Sequence, residues 1–193
     1  HTDSTLTLTA EAANGGQLVI NYRLGQNYLV NMQVQAKGLD GIFAPNYNKV
    51  DIEWEGLCRQ QEKGFTFENR YATLTYKEKN DDSDYINETE KVTDEPMEFA
   101  IDWLAFKDQF FSSVLIPKGD IAPNSQLSSI PQEKGSGYLK QYIAKFKTDF
   151  DPKGAVPTEL EMYFGPNDFQ VLKDVDEECS FDKDLDMQQL VYL

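Results

Sequence analysis

Apolar residues recur at every second position along most of this chain, in short runs broken by turn residues. That pattern most constrains the fold. Period two buries one face of a strand, and successive runs of this kind join as antiparallel layers. Leu18, Ile20, Tyr22 and Leu24 alternate with Val19, Asn21 and Arg23, and Gly25-Gln26-Asn27 supplies turn residues. Tyr28, Val30, Met32, Val34 and Ala36 then resume the period, which predicts a hairpin. Asn14-Gly15-Gly16 is another turn, so Thr5 to Ala10 reads as the preceding strand. Val50, Ile52 and Trp54 alternate with Asp51, Glu53 and Glu55, and Tyr71 to Lys77 reads as a Thr- and Tyr-rich strand. Met97, Phe99, Ile101 and Trp103 predict one continuous strand, and Phe110 to Ile116 predicts a buried run stopped by Pro117. Tyr138, Tyr142, Ala144 and Phe146 line one face of a further strand, and Leu160, Met162 and Phe164 line the last, ended by Gly165-Pro166. Ten Tyr and twelve Phe suit such pleated, half-buried surfaces. The expected fold is mainly β, a sandwich of antiparallel strands.

Two stretches read as loops. Asn80 to Asp84 is an acidic hairpin tip, and Lys118 to Gly137 carries Gly, Pro, Ser and Asn with little apolar content. After Gly165 the texture changes. Pro166 and Asn167 can open a helix with Asp168 in its first turn, and Phe169, Leu172 and Val175 or Asp176 follow at helical spacing. From Phe181 to Leu193, Leu185, Gln189 and Val191 offer a looser helical spacing. The chain is therefore expected to be one domain over 1–193, with a sandwich over 5–165 and a helical segment over 166–193. A chain of 193 residues can bury such a core without disulfides or metals.

Charge narrows the partners. The formal net charge is −15, and Lys and Arg are scattered along the sequence. Nucleic acid and anionic lipid both require a basic patch, so the balance argues against either. Cys58 and Cys179 stand far apart and match no metal spacing. They read as thiols packed like small apolar groups, with a disulfide as the alternative. No window approaches the ~20 apolar residues of a membrane span. His1 reads as a tag remnant and both ends as cut points in a longer natural chain.

Enzyme chemistry is tested by subtraction. The one histidine is His1, so a Ser-His-Asp or Cys-His system lacks its usual base. HExxH, GxGxxG and GxxxxGK[ST] are absent. Asp51, Glu53 and Glu55 share one strand face about 7 Å apart per step, near glycosidase spacings, but they read as a solvated face opposite Val50, Ile52 and Trp54, since catalytic pairs usually come from different strands. Asn80, Asp82 and Asp84 fit the first positions of a calcium loop, yet Tyr85 stands where Gly is needed and Lys91 where the bidentate Glu belongs. Asp182, Asp184 and Asp186 fail in the same way at Met187. Asn87-Glu88-Thr89 matches a glycosylation acceptor, a triplet common by chance. No catalytic, metal-binding or cofactor-binding residue is expected. The aromatic candidates are Trp54, Trp103, Phe106 and Phe110, with Phe111 beside them, as the lining of a ligand groove or as ordinary core.

Three blocks carry a family resemblance. Trp103, Ala105, Phe106, Gln109, Phe110, Phe111 and Pro117 fit a W-[VL]-A-[FM]-x-x-[QK]-[YF]-F block followed by small and apolar residues and Pro. Leu160 to Pro166 resembles a short strand ending in Gly-Pro before a helix. Asp184 to Leu193 resembles a segment leading toward a membrane part. Together they resemble the periplasmic domain of YidC-type membrane protein insertases, closely in the second half and loosely from Thr5 onward. That family usually has further strands ahead of this region, so the resemblance leaves the sheet edge at Thr5 to Ala10 open.

The resemblance implies a β-supersandwich of galactose-mutarotase-like shape with a short helical C-terminal segment. It implies a non-enzymatic domain on the periplasmic side of the bacterial inner membrane that assists insertion and folding of membrane proteins. Its partners would be the transmembrane core of the insertase, substrate membrane proteins and Sec translocon subunits. The Phe65 to Val92 hairpin, with its Asp81–Asp84 tip, is one candidate contact for the last. A carbohydrate-binding sandwich built on Trp54 or Trp103 is the alternative, since fold alone does not fix function.

Overall fold

The computed structural model describes residues 4–86, 92–179 and 181–193. The readings placed on His1, on Asn87-Glu88-Thr89 and on Lys91 lie outside the described residues. Two antiparallel sheets form a sandwich, as the period-two runs require. In chain order the strands are β1 (Thr5–Glu11), β2 (Gln17–Leu24), β3 (Leu29–Lys37), β4 (Lys49–Arg59), β5 (Thr73–Glu78) and β6 (Ser83–Tyr85). They continue as β7 (Thr93–Met97), β8 (Ile101–Lys107), β9 (Phe111–Pro117), β10 (Ser125–Pro131), β11 (Tyr138–Asp149) and β12 (Thr158–Pro166). A one-turn helix α1 (Phe65–Glu68), a helix α2 (Phe169–Glu178) and a 3-10 turn (Met187–Val191) complete the described elements. The larger sheet has the order β1-β2-β3-β12-β9-β8-β5-β6 and the smaller β4-β11-β10-β7.

Two cores result. Leu74, Leu104, Leu115, Leu127, Tyr142 and Leu160 pack between the sheets. Trp103, Val114, Ile116, Tyr163, Leu172 and Leu190 pack between the outer face of the large sheet and the C-terminal helical segment. The central strands of the large sheet are therefore covered on both faces, and every residue of β8 is buried.

The structure corrects several expectations. Met97 to Trp103 is not one strand. β7 lies in the small sheet and β8 in the large, and residues 98–100 cross between them. A bulge follows at once: Lys77 pairs with Trp103 but Glu78 with Ile101, so Asp102 is an extra residue. Ile101 consequently faces the inter-sheet core while Trp103 faces the helical segment. The expected loop from Lys118 to Gly137 contains β10, an inner strand of the small sheet. Its inward positions are Ser125, Leu127 and Ser129, so hydroxyl groups masked the period.

Phe110 and Phe111 are exposed, and the buried part of that run starts at Ser112. Tyr138 is split from its expected face by an irregularity between Tyr138 and Lys140, which turns Leu139 inward instead. Pro166 ends β12 rather than opening the helix, and Asn167 lies between them. Asp168 is the N-cap of α2, accepting hydrogen bonds from the Gln170 and Val171 amides at 3.0 Å each. In the last segment Leu185, Met187 and Leu190 are buried, whereas Gln189 and Val191 are exposed. The tight 3-10 geometry there eclipses positions three apart, so the inward face is Met187 and Leu190.

Candidate functional site

The large sheet is twice as wide as the small one, so its sandwich face is only partly covered. Where cover ends, a cleft of about 430 Å³ opens. Its lining includes Tyr28, Cys58, Phe106, Phe111, Tyr142 and Phe164. Register brings these distant residues together. Phe111 opposes Pro166 and Ser113 opposes Phe164, while the Phe164 amide donates to the Tyr28 carbonyl at 3.0 Å.

The aromatic edge of the cleft is held by a polar turn. The Asp108 carboxylate accepts from the Phe110 and Phe111 amides at 2.7 and 2.6 Å. Asn167 clamps the same turn: its Nδ2 donates to the Asp108 carbonyl at 2.9 Å, and its Oδ1 accepts from Ser112 Oγ at 2.6 Å. Deeper in, Trp54 stacks on Phe106 with ring centroids 3.9 Å apart and planes 14° from parallel. Phe106 meets Tyr142 at 5.3 Å. Gly56 makes room for this, since a Cβ there would stand 3.0 Å from the Phe106 ring.

The four aromatic candidates do not converge on one groove. Trp54 and Phe106 stack between the sheets, and Phe110 stands exposed on the β8–β9 turn. Trp103 is fully buried on the opposite face of the sheet. Tyr28 and Phe164 complete the cleft, and spacing marked them as strand positions only, not as site residues. Tyr28 sits in the β2–β3 turn with φ of 66°, and Phe164 is the exposed member of its alternation.

Burial sets the electrostatics. The Cys58 thiol is pushed up to about 12 by burial, with Asp108 and Glu68 adding to the rise. It is a protonated packing group, not a thiolate nucleophile. Both cysteines are free. Burial lowers Lys140 to about 8, and its ammonium donates to the Ala72 carbonyl at 2.6 Å. Burial also lowers Lys107, which donates to the Tyr71 carbonyl at 3.1 Å. The buried Glu68 accepts from the Gln61 and Glu62 amides at 2.8 and 2.9 Å. These groups are consumed in pinning the β4–β5 connection.

Asp51, Glu53 and Glu55 face solvent on β4 and meet β11 across the strand pair. Asp51 lies 3.5 Å from Lys147, Glu53 3.8 Å from Lys145, and Glu55 accepts from Gln141. Among the described residues no three His, Cys, Asp or Glu side chains are grouped to hold a metal ion. No described helix is long and apolar enough to cross a membrane.

A second constellation docks the C-terminal segment on the outer face. The Trp103 indole donates to the Leu185 carbonyl at 2.7 Å. The Lys183 ammonium, nearly buried, donates to the Gly119 carbonyl at 2.5 Å and lies 3.3 Å from the Asp102 carboxylate. The Asp176 carboxylate accepts from the Met187 amide at 3.0 and 3.2 Å. Burial raises Asp176 to about 7, with the nearby Asp186, Asp184 and Glu177 adding to the rise. No sequence pattern marks Lys183 or Asp176 as anchors: Lys183 stands among Asp182, Asp184 and Asp186, and Asp176 entered only as an alternative to Val175 at helical spacing.

Comparison with known proteins gives this geometry a context. The family model described as the YidC periplasmic domain matches residues 1–187. A membrane protein insertase YidC of Phocaeicola vulgatus is 45% identical over 193 residues, all of this chain and 31% of that protein. The protein of the same name from Bacteroides fragilis is 40% identical over 193 residues, again 31% of its length. That of Parabacteroides distasonis is 36% identical over 192 residues, 98% of this chain and 30% of the relative. The chain thus spans about a third of the length of these relatives.

Proposed function

This chain belongs to the YidC periplasmic domain family, and from that premise we propose that it is a non-enzymatic interaction module of a membrane protein insertase. It sits on the periplasmic side of the bacterial inner membrane as one folded unit. It assists insertion and folding of membrane proteins carried out by a transmembrane core elsewhere in the full protein. The observation that carries this reading is the docked C-terminal segment. Trp103 and Lys183 fasten it to the sandwich through buried polar contacts, and Asp176 ties its two helical parts together through the Met187 amide, so it is a rigid coupling and not a loose tether. Substrate membrane proteins and Sec translocon subunits are the proposed partners, with the Asp81–Asp84 tip as one contact for the latter.

The test is an insertion assay in cells depleted of their own insertase and supplied with the full-length protein. Undocking the segment with Trp103→Phe plus Lys183→Met is expected to lower insertion of a reporter membrane protein at unchanged protein level. Full insertion with the segment shown to be undocked would refute the coupling role. The carbohydrate-binding alternative gains nothing from the tryptophans: Trp103 has no exposed surface and Phe106 covers one face of Trp54.

A further inference from the structure

The two ends of the sandwich carry opposite surface chemistry. At one end β4, β8 and β12 finish and β5, β9 and β11 begin. Tyr28, Leu57, Phe67, Phe110, Phe111 and Phe164 stand there, each between 46% and 57% exposed. Isolated exposed apolar residues are ordinary, but Tyr28, Leu57, Phe111 and Phe164 line one cleft, with Phe110 next to Phe111 in the β8–β9 turn and Phe67 in the β4–β5 connection, and such a group at one end marks a contact surface. The chain has three arginines, Arg23, Arg59 and Arg70, and all three lie exposed in the strand ends and connections of this end. Three of its carboxylates are occupied by backbone amides: Asp108 at the β8–β9 turn, Asp168 at the α2 cap and Glu68 in α1. Glu62, Glu133 and Glu178 are exposed beside them, Glu178 accepting from Asn27 of the β2–β3 turn.

The opposite end is acidic. Asp81, Asp82, Asp120, Asp149, Asp182 and Asp184 gather around Lys77, Lys79, Lys118 and Lys183. The C-terminal segment returns from there to the aromatic end, where Tyr192 meets Phe169 edge-on at 6.5 Å.

We propose that the aromatic, arginine-bearing end docks on the phospholipid headgroup layer of a bilayer, with the acidic end pointing away. The Tyr28 ring, apolar with a polar hydroxyl, settles at that depth, and the Phe and Leu side chains enter the boundary between headgroups and acyl chains. Guanidinium groups pair bidentately with phosphate oxygens. Anionic lipid repels the acidic end, so one orientation is selected despite the net charge of −15. The proposal deepens the reading of this chain as part of a membrane-embedded insertase and rests on it. The insertion assay tests that reading, and the next experiment tests only the orientation.

Full-length protein in vesicles of phosphatidylethanolamine and phosphatidylglycerol is photo-crosslinked with p-benzoylphenylalanine in place of Phe67 or Phe110. Ile42, exposed in the β3–β4 connection at the far end, is the comparison position. Lipid adducts at Phe67 and Phe110 are expected several-fold above Ile42, falling when Arg59→Glu and Arg70→Glu are added. Adducts to polypeptide alone would assign the surface to a protein partner and overturn the proposal. Equal lipid yields at both ends, or none at the aromatic end in protein that still inserts its reporter, would overturn it as well.

Discussion

Replacing Lys183 by Met tests whether the C-terminal segment is held by a buried ion pair. Lys183 and Asp102 keep only 9% and 11% of their side-chain surface exposed. The substitution keeps an unbranched side chain, one atom shorter, but removes the charge beside Asp102 and the donor to the Gly119 carbonyl. Removing one partner of a buried pair costs roughly 3–5 kcal/mol, because the remaining charge stays desolvated. The Asp102 side chain keeps slight solvent contact, so about 3 kcal/mol is expected. Asp102→Asn should cost less, about 1 kcal/mol, since Lys183 keeps its bond to Gly119 and the Asp120 carboxylate at 3.7 Å. The double variant should then be less destabilised than the sum, with a coupling of about 1–2 kcal/mol.

Urea unfolding measures all four corners of this cycle. Hydrogen exchange at the Leu185–Leu190 amides shows where the loss falls. Fast exchange confined to that segment is expected, since it forms its own core with the outer sheet face. Additive single losses, or a Lys183→Met cost below ~1 kcal/mol with unchanged exchange, would show that the pair is solvated and the segment held by apolar packing alone.

Three further outcomes follow from the geometry. Asp176 is pushed up to about 7 by burial, above its unfolded value of 3.8, so the native state holds the proton more tightly. Its contribution to stability is full below about pH 4 and is lost as pH rises through 7, and Asp176→Asn should flatten that part of a stability–pH profile measured by urea unfolding. Gly56→Ala should cost about 1–3 kcal/mol by driving Phe106 off Trp54, with a shift in tryptophan emission as the readout. Cys58, held protonated by burial, should react with a disulfide reagent at pH 8 far more slowly in native than in urea-unfolded protein.

The sandwich was legible in the sequence because alternation reports one buried face directly. The hairpin of β2 and β3, the strand β4 and the helix bearing Leu172 and Val175 follow from spacing alone. Failures fall where tertiary contacts override a local signal. β10 shows only Leu127 between two inward serines, so nothing apolar marked the period. The residues from Met97 to Trp103 keep their alternation while the chain changes sheets and bulges at Asp102, an event set by pairing partners far away. Pro166 can open a helix or close a strand, and its pairing with Phe111 decides for the strand. The cleft was half legible: Phe106 and Phe111 lie in a readable block, but Tyr28 joins them through a contact across 136 positions, beyond any local pattern.

By itself the sequence determined the layered β architecture, the absence of an internal histidine, the apolar faces and the net negative charge. These are sums or short-range patterns, complete before the chain folds. Only the tertiary structure decided where the charge and the exposed aromatics lie. Arg23, Arg59 and Arg70 are scattered in the sequence, and so are Tyr28, Phe67, Phe110 and Phe164. Antiparallel register carries them to the same end of the sandwich and carries the aspartates of the β5–β6, β9–β10 and C-terminal connections to the other. The physical reason is that each hairpin reverses the chain, so the end that a given side chain reaches depends on strand length and pairing, and neither is written in any one segment.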